Sequence, residues 1–164
     1  MKHKLNNPLT NNLNNHKFAA VNDEYYMKQA YREALKAFDA DEVPIGAVIV
    51  AGDKIIAKGN NQTELLNDTT AHAEIIALTA AFNAMGSKFL EECSMYITIE
   101  PCAMCAGALK WARIGKLIYG ASEPKSGFTL YEPSILHPNT IVVDGVLKDE
   151  CRQLMKDFFL KKRN

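Results

Sequence analysis

SMYITIEPCAMCAGALKWARIGKLIY, residues 94–119, decides the architecture. Within it, Ser94 to Ile99 is a short apolar run rich in β-branched residues and reads as a buried strand. Pro101 sits where a helix takes proline in its first turn, and CAMCAGALKWAR (102–113) continues as helix. Lys116 to Tyr119 then supplies another strand. Strand, helix and strand across one short crossover imply a parallel pair, since the helix returns the chain to the edge from which the first strand set out.

Upstream, Ile45 to Val50 (IGAVIV) is a second apolar, β-branched run, and the Gly52-Asp53 turn joins it to Lys54 to Lys58 as an antiparallel hairpin. Asn60 to Thr70 is polar and breaks the pattern. Thr70 is then placed to cap a helix from about Ala71 to Met85, which Gly86 ends. Before the hairpin, Met27, Ala30, Tyr31, Ala34, Leu35 and Phe38 recur at the spacing of an amphipathic helix that starts near Asp23 and stops near Asp39. Downstream, a long loop leads to a last strand at Thr140 to Val143 and a final helix at Lys148 to Lys162. The expected fold is α/β, with a central mixed five-stranded sheet.

A chain of 164 residues with 48% from the hydrophobic set suits one compact domain. The 19 basic and 19 acidic residues cancel, so there is no overall attraction toward a polyanion, and nucleic acid would have to meet a local basic patch. No apolar run approaches the roughly 20 residues of a membrane helix, and the N-terminal stretch lacks the apolar core of a secretory signal, so a soluble, cytoplasmic protein is expected. Residues 1–22 are rich in asparagine without a sustained apolar period and read as a mobile extension, leaving 23–164 as the folded domain. Two of the four cysteines lie in a CxxC at a helix start, which favours metal binding over disulfides.

The residues suited to that metal stand at helix starts: His72 in the first turn of one helix, Cys102 and Cys105 in the first turn of another. Cysteines at i and i+3 share a helical face, so both sulfurs can converge on a tetrahedral ion at Zn–S of about 2.3 Å. The partial positive charge of a helix N-terminus favours the thiolates. Structural zinc takes four protein ligands whereas catalytic zinc keeps one position for water, and the count here is three. Glu74, two residues after His72, can reach such a water without being a ligand. The ion lowers water's pKa toward about 7, and Glu74 would carry the proton to a substrate ring nitrogen and to the departing amine. Spacing leaves open a structural zinc knuckle completed by Cys93, Cys151 or another histidine, although Cys93 before a strand and Cys151 in the last helix read better as small core residues. His3 and His16 fall in the extension and His137 in a loop, and none is given a role.

His72-Ala73-Glu74 with Pro101-Cys102-Ala103-Met104-Cys105 resembles the HxE and PCxxC signature of the cytidine deaminase superfamily. Within it, VPIGAVIV (43–50), TAHAEIIAL (70–78), ITIEPCAMCAGALKWARIGKLIYGA (97–121) and ECRQLMKDFF (150–159) are similar to bacterial tRNA adenosine deaminases, over roughly Asp23 to Arg163. The resemblance implies a three-layer α/β/α fold, a homodimer, and one Zn2+ per subunit held by His72, Cys102 and Cys105, with Glu74 catalytic. It implies that adenosine at the anticodon wobble position of tRNA is flipped into the zinc pocket and converted to inosine with release of ammonia. It also places Asn60, Val43, Pro44, Ala73 and Glu123 among the substrate contacts, Asn60 hydrogen-bonding the purine.

The segment GASEPKSGFTLYEPSILHPNT (120–140) departs from that family, lacking its Gly-Ser-Leu and Asn-His elements, and Glu123 stands where many relatives carry aspartate near the ribose. Such a loop borders the pocket, so the substrate stays open between a tRNA anticodon arm and a free base or nucleoside of the guanine or cytosine type. A non-catalytic RNA-binding zinc module is the reading from outside the enzymes, and an intact Glu74 argues against it. The run Phe158, Phe159, Lys161, Lys162 and Arg163 combines groups that stack on bases and neutralise phosphates, yet the same residues would also dock and cap a terminal helix.

Overall fold

The computed structural model describes residues 11–163, with side chains from Asp23 onward. Strand β1 (Gly46–Ala51) is buried on both faces, Ala47 and Ile49 pointing one way and Val48 and Val50 the other, as the two-residue period of a strand requires. It pairs antiparallel with β2 (Lys54–Asn60) on one side and with β3 (Cys93–Ile99) on the other. β3 pairs parallel with β4 (Lys116–Ala121), and β4 parallel with β5 (Ile141–Asp144), giving the order β2-β1-β3-β4-β5. The mixed five-stranded sheet expected from the sequence is present.

Helices α1 (Asn11–Asp39) and α4 (Lys148–Arg163) cover one face of this sheet, and α2 (Ala73–Met85) and α3 (Ala103–Ala112) the other. On the first face, Met27 and Ala30 of α1 pack on Val48, Tyr96 and Ile118, while Cys151 of α4 meets Ile99 and Ala121. On the second, Ala77 and Leu78 of α2 and Ala106 and Leu109 of α3 close over Ile49, Met95, Ile97 and Leu117. The three α/β/α layers follow from strands whose alternate residues are apolar on both sides. No helix among the described residues is long and apolar enough to cross a membrane.

The helix starts differ from their expected places. α1 is helical from Asn11 rather than from near Asp23. The expected mobile extension falls partly outside the described residues, at 1–10, and for 11–22 only the helical backbone is described. Thr70 does not cap α2. Its N–H and Oγ1 both donate to Asp68 Oδ1 at 2.8 Å, closing a tight turn ahead of the helix, and the N-cap is His72. Pro101 likewise precedes the N-cap of α3, which is Cys102. Gly86, in the left-handed conformation, ends α2 as expected.

The start of α2 is fixed by contact with β2 at Gly59. A Cβ there would lie 2.4 Å from the carbonyl oxygen of Ala73 and 2.7 Å from the nitrogen of Ala77, so the helix rests on bare backbone. Gly59→Ala is expected to lower unfolding free energy by about 1–3 kcal/mol, and Gly59→Val by more, because the overlap is with backbone that has no rotamer to yield. Denaturant titration checks this, and an unchanged midpoint for both variants would contradict the close packing.

Candidate active site

β2 and β3 both run antiparallel to β1, so they run parallel to each other and end at the same edge of the sheet. α2 follows β2 and α3 follows β3, both on the same face, and their first residues therefore meet. His72 and Cys102 are the N-caps, with extended backbone (φ −71°, ψ 155° and φ −71°, ψ 172°), and neither side chain caps its own helix. Both point instead at each other. His72 Nδ1 lies 3.7 Å from Cys102 Sγ and 3.6 Å from Cys105 Sγ. Tetrahedral bonds of ordinary zinc length place nitrogen and sulfur ligands about 3.6 Å apart, so the trio is already spaced for the ion. Among the described residues this metal-competent group has three members and no fourth. Cys93 and Cys151 are buried in the packed layers, where burial pushes both thiols upward in pKa, Cys151 to about 12.

The electrostatics agree with metal binding. The hydrogen bond from Cys105, with a further one from His72, holds the Cys102 thiol down at about 4, while Cys105, as the donor and the more buried sulfur, moves upward. The opposite directions have one cause, the hydrogen bond between the two sulfurs. A divalent ion competes for the remaining proton. His72 is raised in pKa by its hydrogen bond to Cys102. Glu74, in the first turn of α2, is 3% exposed, and its Oε2 is buried with no hydrogen-bond partner. Burial lifts its carboxyl to about 7. An unpartnered buried carboxylate oxygen is costly, and here it lies beside the metal-competent trio.

The remaining expected site residues divide. Asn60 faces α1, where its Nδ2 donates to Glu33 Oε2 at 3.3 Å, so the structure does not bring it to His72. The alternation along β2 puts Ala57 and Gly59 on the α2 side, and the next residue on that side is Asn61. Asn61 is buried and donates from Nδ2 to Glu42 Oε2 at 3.2 Å, which leaves its carbonyl oxygen free to accept. Counting the strand's two-residue period from Gly59 would have found it in the sequence. Ala73 is fully buried between His72 and Glu74, and Pro44 is buried as well. His137 Nδ1 accepts the N–H of Asn139 and serves its own loop.

Val43 and Glu123 do come together. They line a groove of about 940 Å3 with Lys125, Arg152, Lys156, Phe159 and Arg163. Four cations stand there against one acid, although the chain carries no net charge. The metal-competent trio is not part of this groove. The C-terminal run is split between two jobs. Phe158 is buried edge-on against Phe38, and Lys161 and Lys162 pair with Asp41, which docks α4. Phe159 and Arg163 face the groove.

Cys102→Ala and Cys105→Ala are expected to lose bound metal, whereas Cys93→Ala and Cys151→Ala keep it. Metal analysis of the four purified variants decides, and full metal in either of the first two would remove that sulfur from the ligand set.

A family model described as MafB19-like deaminase matches residues 21–163. The chain is 41% identical over 144 residues to the tRNA-specific adenosine deaminase of Agrobacterium fabrum (strain C58 / ATCC 33970), covering 85% of this chain and 95% of that one. It is 41% identical over 146 residues to the tRNA-specific adenosine deaminase of Bacillus subtilis (strain 168), covering 86% and 91%. Its fold is similar to a solved structure from studies of A-to-I editing by tRNA:A34 deaminases at the wobble position of transfer RNA, with a TM-score of 0.75, 40% identity, and coverage of 79% of this chain and 98% of that one. With His72 and Glu74 meeting Cys102 and Cys105 at paired helix starts, and the match running almost throughout the described residues, the chain belongs to the MafB19-like deaminases of the cytidine deaminase superfamily.

Proposed function

We propose that this chain, through its 23–164 domain, is a zinc-dependent hydrolytic deaminase that converts adenosine to inosine at the anticodon wobble position of tRNA and releases ammonia. The observation that carries the reaction is Glu74, a buried carboxyl with an unpartnered oxygen beside a three-ligand metal site. His72, Cys102 and Cys105 would hold the zinc, which would supply hydroxide at neutral pH. Glu74 accepts the proton of the attacking water and delivers it to a ring nitrogen as the new C–O bond forms. It then takes the proton of the new hydroxyl group and passes it to the amine, which leaves as ammonia as the C–N bond breaks and the carbonyl forms. Asn61, its amide oriented by Glu42, is placed to accept a hydrogen bond from the base in the role first expected of Asn60.

The choice of a polynucleotide is supported by the similarity to tRNA-specific adenosine deaminases over 85% and 86% of this chain and by the groove. Arg152, Lys156, Phe159 and Arg163 recur at helical spacing along one side of α4, three cations and an aromatic ring suited to phosphates and a stacked base. A homodimer acting in the cytoplasm completes the reading. Met104 and Trp111 of α3 stay exposed, Trp111 at 82%, and a second copy would cover them.

Offered an anticodon stem-loop RNA alongside free guanine, cytosine and adenosine, the protein is expected to form inosine in the RNA and leave the free compounds intact. Turnover of guanine or cytosine with unchanged RNA would make it a free-base deaminase instead. Glu74→Ala is expected to keep its metal and lose about 10²–10⁴-fold in turnover, the usual worth of a positioned proton carrier. Ammonia release at the wild-type rate would end that assignment. The double variant Arg152→Gln/Lys156→Gln should bind RNA more weakly, and the slope of log affinity against log salt should be shallower by about two, one for each lost phosphate contact. An unchanged slope would take the RNA out of the groove.

A further inference from the structure

We propose that Glu100 is a positioning residue: its buried carboxylate straps the 123–129 loop to the segment that carries Cys102, and this strap sets the affinity for substrate. The inference builds on the reading of the neighbouring site as a deaminase.

Glu100 follows β3 directly and is 4% exposed. Its carboxylate accepts from the loop opposite at three points. Oε2 accepts the N–H of Glu123 at 2.9 Å, and Oε1 accepts both the N–H of Thr129 at 3.0 Å and its hydroxyl at 2.7 Å. Both ends of the loop therefore hang on one carboxylate. Removing an ionised carboxylate from water is unfavourable, and charge-assisted bonds of this length offset it only when all are made together.

The backbone reinforces the same attachment. Phe128 N–H donates to the carbonyl of Pro101 at 2.9 Å, Gly127 forms a bridge with Cys102, and Gly127 N–H closes the loop on the carbonyl of Glu123 at 2.9 Å. The contact is tight enough to require glycine. A Cβ on Gly127 would lie 2.4 Å from both Cδ and Oε1 of Glu100. The loop and the Glu100-Pro101-Cys102 segment thus form one rigid piece.

That piece has a functional side. Glu123, pinned through its N–H to Glu100, presents its side chain to the groove, with Oε1 accepting the N–H of Lys125 at 2.9 Å. Pro124 and Lys125 continue the same wall. Glu100 is too deeply engaged to touch substrate itself. It decides where the wall stands relative to the cysteines that follow it.

Glu100→Gln keeps shape and size but turns an NH2 group toward a donor, either the Glu123 N–H or the Thr129 pair, and so releases one end of the loop. Gly127→Ala leaves Glu100 intact and forces the same separation from the other side. Both variants are expected to retain wild-type metal content, to exchange the amides of 123–129 about tenfold faster, and to raise KM about tenfold with kcat within about threefold of wild type. The kinetics are measured on whichever of the stem-loop RNA, guanine and cytosine the wild-type protein deaminates. A wrong substrate assignment then appears in the wild-type column alone, while the test of Glu100 rests on the ratio between variant and wild type. A fall in kcat at constant KM, as a smaller fraction of folded protein would give, overturns the proposal. So does an unchanged KM in both variants.

Discussion

Because β1 is hydrogen-bonded antiparallel on both sides, β2 and β3 must finish at the same edge of the sheet, and each hands the chain to a helix there. His72 and Cys102 become neighbours through that geometry, thirty residues apart in sequence. The contact at Gly59 holds α2 at the right height, and the parallel pairing of β3 with β4 returns the chain past the same edge, so the 123–129 loop arrives beside the cysteines. Were β1 antiparallel to only one of its two neighbours, β2 and β3 would finish at opposite ends of the sheet and the same residues would be held apart. Chemistry and topology are linked at this one strand.

Four buried glutamates show how the fold treats charge. Glu33 takes Asn60 and Lys36, Glu42 takes Asn61, Thr63 and the N–H of Leu65, and Glu100 takes the two ends of a loop. Each is satisfied and each fastens something. Glu74 alone keeps an oxygen without a partner. In a chain that satisfies its other buried carboxylates so fully, that missing partner is what supports the role proposed for Glu74.

The elements legible in the sequence were those whose signal is local. Short apolar runs rich in β-branched residues marked the strands, and a CxxC at a helix start together with HxE marked His72, Cys102 and Cys105, which the fold brings together, because each motif is compact in sequence and sits at the end of an element. Misplacements came where competing local signals had equal weight. Thr70 has the chemistry of a cap, yet Asp68 two residues earlier engages both its donors. Asn60 and Asn61 have the same chemistry, and only the face of β2 separates them. Glu100 escaped notice for a different reason. Its partners are backbone and hydroxyl donors more than twenty residues downstream, and no pattern in the sequence announces a carboxylate bound to a loop.

The groove and the metal site draw on almost separate stretches of chain. His72, Glu74, Cys102 and Cys105 belong to the two helix starts, whereas the groove takes Val43, the turn at 123–125 and one stripe of α4. The metal-competent trio is thus framed by the central sheet, and the groove proposed to meet the substrate is carried on segments near the surface. An insertion, a shortened loop or a recharged last helix can redirect such a protein toward a new molecule while its reaction stays the same. A lineage built this way can diversify by exchanging its borders around an inherited centre.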